Sequence, residues 1–322
     1  MASPNATFTE MVTTTLRNHP TMLSDVVSTH NAVWRRLNLK GNIKLLDGGY
    51  QIVEPLDFAE NGTFQRYSGY DTLNIGASDV LTAAAFEWVQ AAVNVVSSGR
   101  ELRQNSGREQ LINLAEARVK NAMRTAANYM SIDIHSSGAL ANQMGGLAHI
   151  IQNDGTGTVG GINSSTYTQW KNQFVEATGS NAVTRSNIKG FMESLWLSCV
   201  RGTDRPDLIV SSNDFFALYW ESLSDLQRYT NDKSEANAGF RSLKFNDADV
   251  IHDVNTNFTS TAEKMYFLNT DSIYLKVHRD ANWVTLDEKT SVNQDAVVIP
   301  IIWQGQLTTS NRKLQGVLID AS

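Results

Sequence analysis

Gly155, Gly157 and Gly160 stand in the order G-x-G-x-x-G, and Glu176 follows about 20 residues on, where a dinucleotide site places its ribose-binding acid. That chemistry needs the third glycine to open a helix whose N-terminal amides face a pyrophosphate. Here the glycines lead into Ile162-Asn163-Ser164-Ser165-Thr166, a poor helix start, and no strand–helix–strand unit precedes them. They predict a flexible loop instead. The six histidines are His19, His30, His135, His149, His252 and His278. No two stand at zinc spacing, and a single cysteine excludes cysteine-based zinc sites. His149, between apolar residues, predicts a hydrogen-bonded structural side chain. No His-Glu-x-x-His, phosphate-binding loop or Gly-x-Ser-x-Gly occurs. Cys199 falls on an apolar helical stripe and reads as a small core hydrophobe, not a nucleophile. The adjacent carboxylates Asp287 and Glu288 read as a solvated turn. Asn5, Asn61, Asn163 and Asn257 each begin an Asn-x-Ser/Thr triplet, read as chance matches without a secretory signal. The residues thus predict no catalytic set, no cofactor and no metal. They point to a structural protein that works by making contacts.

The elements that carry these residues are bounded by composition. The chain has 322 residues, enough for about two compact units, and 41% are hydrophobic, enough for a real core. Only 19% are charged, below the ~25% usual for soluble proteins, so the surface is polar but lightly charged. A net charge of −6 argues against a basic face that grips phosphates. No stretch approaches the ~18 apolar residues of a membrane span; the clean run Val297–Trp303 is too short. The N-terminus lacks a basic start followed by an apolar block, and one cysteine allows no internal disulfide, which fits a reducing cytoplasm.

Along the chain, Leu23, Val26, Val27, His30, Val33, Trp34 and Leu37 make a helical stripe, with Arg35 and Arg36 in its last turn. Residues 50–98 read as β. Tyr50, Ile52 and Leu56 lead out, Pro55 marks an edge strand or the strand's end, Asn61-Gly62 a turn, and Phe86, Trp88, Val89, Val93, Val95 and Val96 return. Such an excursion, aromatic and lightly charged, has little core of its own to enter. It is either packed on its own domain or laid on a neighbouring subunit. A capping box at Ser106 and Glu109 opens the clearest helix. Its face is Leu111, Ala115, Val119, Ala122, Ala126 and Met130, widened by Ile112, Met123 and Ile134. About 27 residues at ~1.5 Å rise give a spine of roughly 40 Å. After an open glycine-rich stretch at 138–165, helices and strands interleave. The helical stripes are Ile188–Cys199 and Phe216–Leu226. The strands fall at 208–210, 243–254, 265–269, 272–278, 297–303 and 314–319, giving an α/β or α+β half.

This order of elements resembles the major capsid protein of tailed bacteriophages (Caudoviricetes), the Hong Kong 97-type fold. The supporting phrases are Asn31–Leu39 (NAVWRRLNL), Gly41-Asn42, Gly48-Gly49, Glu54-Pro55-Leu56, Tyr67-Ser68-Gly69, Thr82–Val89 (TAAAFEWV), Gly145-Gly146-Leu147, Thr158–Ile162 (TVGGI) and Trp170. The resemblance runs from about Thr21 to Ile319 and implies an α+β fold with the following parts. Residues 1–40 are an N-terminal arm, and 50–90 an extended loop lying over the next subunit. Residues 41–49, 91–185 and 296–322 form a peripheral domain with spine helix 106–135, and 186–295 an axial domain. The implied function is a coat protein that self-assembles as pentamers and hexamers into the icosahedral head shell around double-stranded DNA. The shell is built in the host bacterial cytoplasm and becomes part of the virion. The implied partners are itself, a portal and a separate scaffolding protein, with room for decoration proteins, and DNA enclosed without tight binding. Family-like sequence begins near residue 21, leaving no room for a fused scaffolding segment, so either a separate scaffold or an already processed form is expected, and the initiator Met1 favours the former. Phe64, Arg66, Tyr67 and Tyr70, near the loop tip, are the expected inter-subunit contacts, being of types enriched at interface hot spots. No lysine occurs between Leu45 and Val119, so cross-linking of shells through a loop lysine is not expected.

Two other classes stay open. One is another phage structural part, of the tail tube or for head completion, which should lack the spine helix and axial domain. The other is an α/β small-molecule enzyme using 186–295, which would need a concave site with convergent polar groups.

Overall fold

The computed structural model describes residues 31–76, 80–104, 114–178, 182–223, 243–253, 263–287, 289–290 and 295–320. Most of the expected N-terminal arm, the Ser106/Glu109 capping box and Leu226 lie outside these residues.

The described chain opens on helix α1 (Ala32–Leu39). The Asn31 side chain accepts from the Trp34 N–H at 2.9 Å, an N-cap contributing about 1 kcal/mol. Ala32, Val33 and Leu37 are buried. Gly41, at φ +67°, ends the helix in the left-handed conformation a Cβ disfavours. Strands β1 (Ile43–Leu46), β2 (Ile52–Asp57), β3 (Leu81–Phe86) and β4 (Val89–Ser98) follow. A short helix α2 (Gly99–Gln104) precedes the spine, α3 (Leu114–Ile134), of which 21 residues are described, about 30 Å at 1.5 Å per residue. Ala126, Met130 and Ile134 are buried as the stripe requires, whereas Met123 is exposed. Helix α4 (Leu147–Ile150) and the hairpin β5 (Thr158–Val159) and β6 (Ile162–Asn163) lead to β7 (Gln173–Ala177). Next come α5 (Ile188–Cys199), β8 (Leu208–Ser211), α6 (Asn213–Ser222), β9 (Leu243–Phe245), β10 (Ala248–His252) and β11 (Glu263–Leu268). The last elements are β12 (Ile273–Thr285), β13 (Lys289–Thr290), β14 (Ala296–Thr309) and β15 (Gly316–Asp320).

A mixed six-stranded sheet runs β7-β15-β11-β8-β10-β9. Its inner strands β8, β10 and β15 are buried on both faces, whereas the edge strands β7 and β9 alternate. Ile209, Val250, Met265, Phe267 and Leu318 point to one core with α5 and α6. Leu208, Val210, Ile251, Tyr266, Val317 and Ile319 point to a second core with α1, the end of α3, α4, β12 and β14. A five-stranded sheet places β12 against β14, with β1 beside β12 and β4 and β13 beside β14. Strands β2 and β3 form a separate antiparallel pair.

The sheets join segments across the expected boundaries at two places. Gly316–Asp320, expected with the spine helix, lies between β7 and β11. Ile273–Thr285, expected in the 186–295 unit, pairs with β1 and β14. The reason is burial. Val317, Leu318 and Ile319 alternate between two cores, so β15 needs a neighbour on each edge. Alternation in β12 buries Leu275 and Val277 on one face and leaves Lys276 on the other. Among the described residues no helix is long and apolar enough to cross a membrane.

Candidate assembly surface

The excursion at 50–90 is an arm built on a rigid root. In β2, Ile52, Glu54 and Leu56 face inward and Val53, Pro55 and Asp57 outward. Pro55 is tolerated because β2 pairs only with β3, with Pro55 opposite Ala83. Ile52, Leu56, Ala84 and Phe86 pack against Val159 and Trp170, whose Nε1 donates to the Val159 carbonyl at 3.0 Å. Here the glycine loop finds its use. Gly160 has φ +60°, its carbonyl accepts from the Ala85 N–H at 3.0 Å, and a Cβ on it would meet the Ala84 Cβ at 2.7 Å. The loop expected to be flexible is held against the arm, and no helix follows its third glycine.

Glu54 is the buried charge of the root. Lys276 Nζ lies 2.9 Å from its Oε1, and Thr308 Oγ1 donates to the same oxygen at 2.7 Å. Side-chain exposures of 7% for Glu54 and 14% for Lys276 make this a desolvated pair, so neither partner is cheaply removed. At the arm's exit, Trp88 Nε1 donates to the Gly49 carbonyl at 2.9 Å. Gly48 and Gly49, at φ +134° and +123°, turn the chain there.

The body beneath is tied by α1. Arg36 Nε lies 3.2 Å from Asp207 and its Nη2 3.2 Å from Asp249, while Lys40 Nζ reaches Asp207 at 3.0 Å and Asp271 at 2.8 Å. Burial opposes ionisation of Asp207, but hydrogen bonds from the Thr270 N–H and hydroxyl, with Lys40, outweigh it and hold the carboxyl below its usual range. At the start of β11, an inner strand of the six-stranded sheet, the balance reverses. Burial raises the Glu263 carboxyl, and Asp214 and Asp320 add to the rise against a hydrogen bond from Ser212.

Beyond Phe58, whose ring meets Tyr167 edge-on with centroids 5.4 Å apart, the arm leaves its body. The Phe58 N–H donates to the Val80 carbonyl at 2.8 Å, one pair past the strands. The four expected contact residues all lie on this tip and all are exposed: Phe64 at 83%, Tyr67 at 64%, Tyr70 at 106%, with Arg66 between them. The return limb adds Leu73 at 51%, Ile75 at 94% and Leu81 at 78%, which the sequence reading passed over. The alternating Leu73-Asn74-Ile75 was the available signal. Between the arm and its body lies a half-open cleft of about 820 Å³, lined by Leu56, Phe58, Phe64, Trp170, Arg201 and Lys313 among others. Among the described residues no histidine or cysteine lines it. Cys199 is buried beneath α5, with its thiol pushed up to about 12 by that burial, the state of a packed side chain. His149 is half-buried, and burial, then the nearby Arg312 charge, lower its pKa.

No protein-family profile and no curated protein sequence matches the chain. Solved structures do. The capsid subunit of cyanophage A-1(L) is 13% identical over 88% of this chain and 92% of its own, with a TM-score of 0.61. The capsid of Myoviridae phage XM1 is 12% identical over 88% of this chain and 91% of that one, at 0.54. The SrpI encapsulin complex of Synechococcus elongatus PCC 7942 is 8% identical over 97% and 95%, at 0.58. The chain therefore has an α+β fold that is built elsewhere into closed protein shells. It is the Hong Kong 97-type fold of tailed-phage capsids, matched over nearly the whole length of both partners.

Proposed function

We propose that this chain is a major capsid protein, assembling as pentamers and hexamers into an icosahedral head shell around double-stranded DNA. One observation carries the reading: an arm with a locked root whose tip offers large apolar side chains that its own subunit leaves uncovered. In water such a surface is a liability; in a shell it is a contact. The likeness to phage capsid structures over 88% of the chain supports it. On this reading residues 50–90 lie over the next subunit, and the six-stranded unit is the axial domain meeting its copies at the capsomer centre. Many modest contacts then close the shell through avidity. A portal, a scaffolding protein and, where present, decoration proteins are its other partners. DNA is confined without tight binding, as the net charge of −6 favours. The protein works in the virion after assembly in the bacterial cytoplasm, and it performs no catalysis.

The test is replacement of Phe64, Arg66, Tyr67 and Tyr70 by Ala in the full chain. Particle yield should collapse while the thermal midpoint of the subunit stays within about 2 °C of the parent, since exposed substitutions cost ~0.5 kcal/mol or less. Unchanged particles would refute the arm's role. The encapsulin likeness, at 97% coverage of this chain, supports a second reading as a compartment shell. Nuclease-protected DNA inside recovered particles favours the phage head; shells empty of nucleic acid favour the compartment.

A further inference from the structure

The arm tip contains a tie between its two limbs. Gln65 Nε2 donates to the Thr72 carbonyl at 2.9 Å, and its Oε1 accepts from the Asn74 N–H at 3.3 Å. One side chain thus joins the outgoing limb to the returning limb, nine residues apart. Gln65 is half-buried, whereas residues 66–76 are all exposed. The apex beyond it is a tight turn. The Asp71 N–H donates to the Ser68 carbonyl at 3.0 Å, and the Asp71 carboxylate accepts from the Ser68 N–H at 2.8 Å. Gly69, at φ +42°, supplies the left-handed residue of that turn and leaves Tyr70 at its summit.

We propose that Gln65 is a positioning residue: by tying the two limbs it presents Phe64, Tyr67, Tyr70, Leu73 and Ile75 as one preformed apolar plug for a second copy of this chain. The inference rests on the assembly reading above. A second copy is the occupant for two reasons. The fold is one that solved structures show repeated in shells. The tip carries one cation, Arg66, against one anion, Asp71, and so suits a lightly charged acceptor such as this chain's own surface, with 19% charged residues overall. Free, an untied loop of this length samples many shapes and loses that freedom on docking. A tie of one solvent-accessible hydrogen-bonded side chain shifts binding about three- to tenfold.

The experiment compares the parent chain, Gln65→Ala, Tyr70→Ala and Ile75→Ser, each full length and co-expressed with its neighbouring genes. Sedimentation measures the subunit concentration at which half the protein is in particles. Amide hydrogen exchange reads Asn74, and a thermal scan reads the fold. The inference predicts, for Gln65→Ala, a three- to tenfold higher half-assembly concentration, faster exchange at Asn74 and an unchanged thermal midpoint. Unchanged assembly in Gln65→Ala beside weakened assembly in Tyr70→Ala overturns the positioning role and leaves the assembly reading standing. A lowered thermal midpoint in Gln65→Ala also overturns it, since the residue would then be holding the fold. If the parent forms no particles, or neither Tyr70→Ala nor Ile75→Ser alters them, the assembly reading fails and the inference falls with it.

Discussion

Removing the Glu54 carboxylate from the arm root isolates one force that holds the arm in place. In Glu54→Gln the amide oxygen still accepts from Thr308 Oγ1, but the Lys276 ammonium, 14% exposed and 2.9 Å away, loses its counter-charge. Breaking a buried pair from one side costs ~3–5 kcal/mol, and the partial exposure of Lys276 brings the expectation to about 2–3 kcal/mol. The Tyr274 ring, with its centroid 5.7 Å from Lys276 Nζ, remains as a weak partner. Lys276→Met strands the carboxylate instead and should cost a similar amount. Glu54→Gln/Lys276→Met removes both charges and should cost about as much as one single change, not the sum of the two, giving a coupling of roughly 2–3 kcal/mol in a double-mutant cycle. Amide hydrogen exchange across Ile52–Asp57 and Leu81–Phe86 is the assay, because it reads arm undocking apart from unfolding of the body. Additive single effects, or protection of these strands equal to the parent's in both single variants, would refute the reasoning.

Other predictions follow from the same contacts. Gly160→Ala forces a Cβ against Ala84 at 2.7 Å in a left-handed residue, so it should destabilise the arm root by about 2 kcal/mol or more, read as faster exchange in Leu81–Phe86. Asp207 titrates lower in the folded chain, so its contribution is complete above pH ~4 and is lost as pH falls through the folded value; Asp207→Asn should flatten the acid limb of a stability-versus-pH curve. Glu263 has the opposite sign, its contribution being present below its unfolded value and lost as pH rises. Glu263→Gln should therefore stabilise the fold at pH 7, by well under ~1 kcal/mol after solvent screening and read as a slightly higher thermal midpoint, and do nothing at pH 3. With no lysine between Leu45 and Val119, mature particles should run as a single band in denaturing gels; a ladder would contradict this.

Local pattern was legible in the sequence where one face of an element decides its fate. The stripe Ile188, Met192, Leu195 and Cys199 is buried as its spacing predicts, and Pro55 marks an edge strand. Sheet membership was not legible, because Leu208–Ser211 and Gly316–Asp320 are buried on both faces and their residues carry no mark of which neighbours they take. The assembly tip was half legible. Aromatic types pointed to Phe64, Tyr67 and Tyr70, but Ile75 and the tie made by Gln65 depend on two limbs meeting in space. The role of Glu54 was not legible, because its buried pairing with Lys276 spans more than two hundred residues and has no local signal.

Negative-stain electron microscopy of the protein co-expressed with its neighbouring genes tests the central claim most directly. Closed icosahedral shells with five- and six-membered rings are the predicted result. A stable monomer at every concentration, with the arm tip packed on its own body, would contradict it.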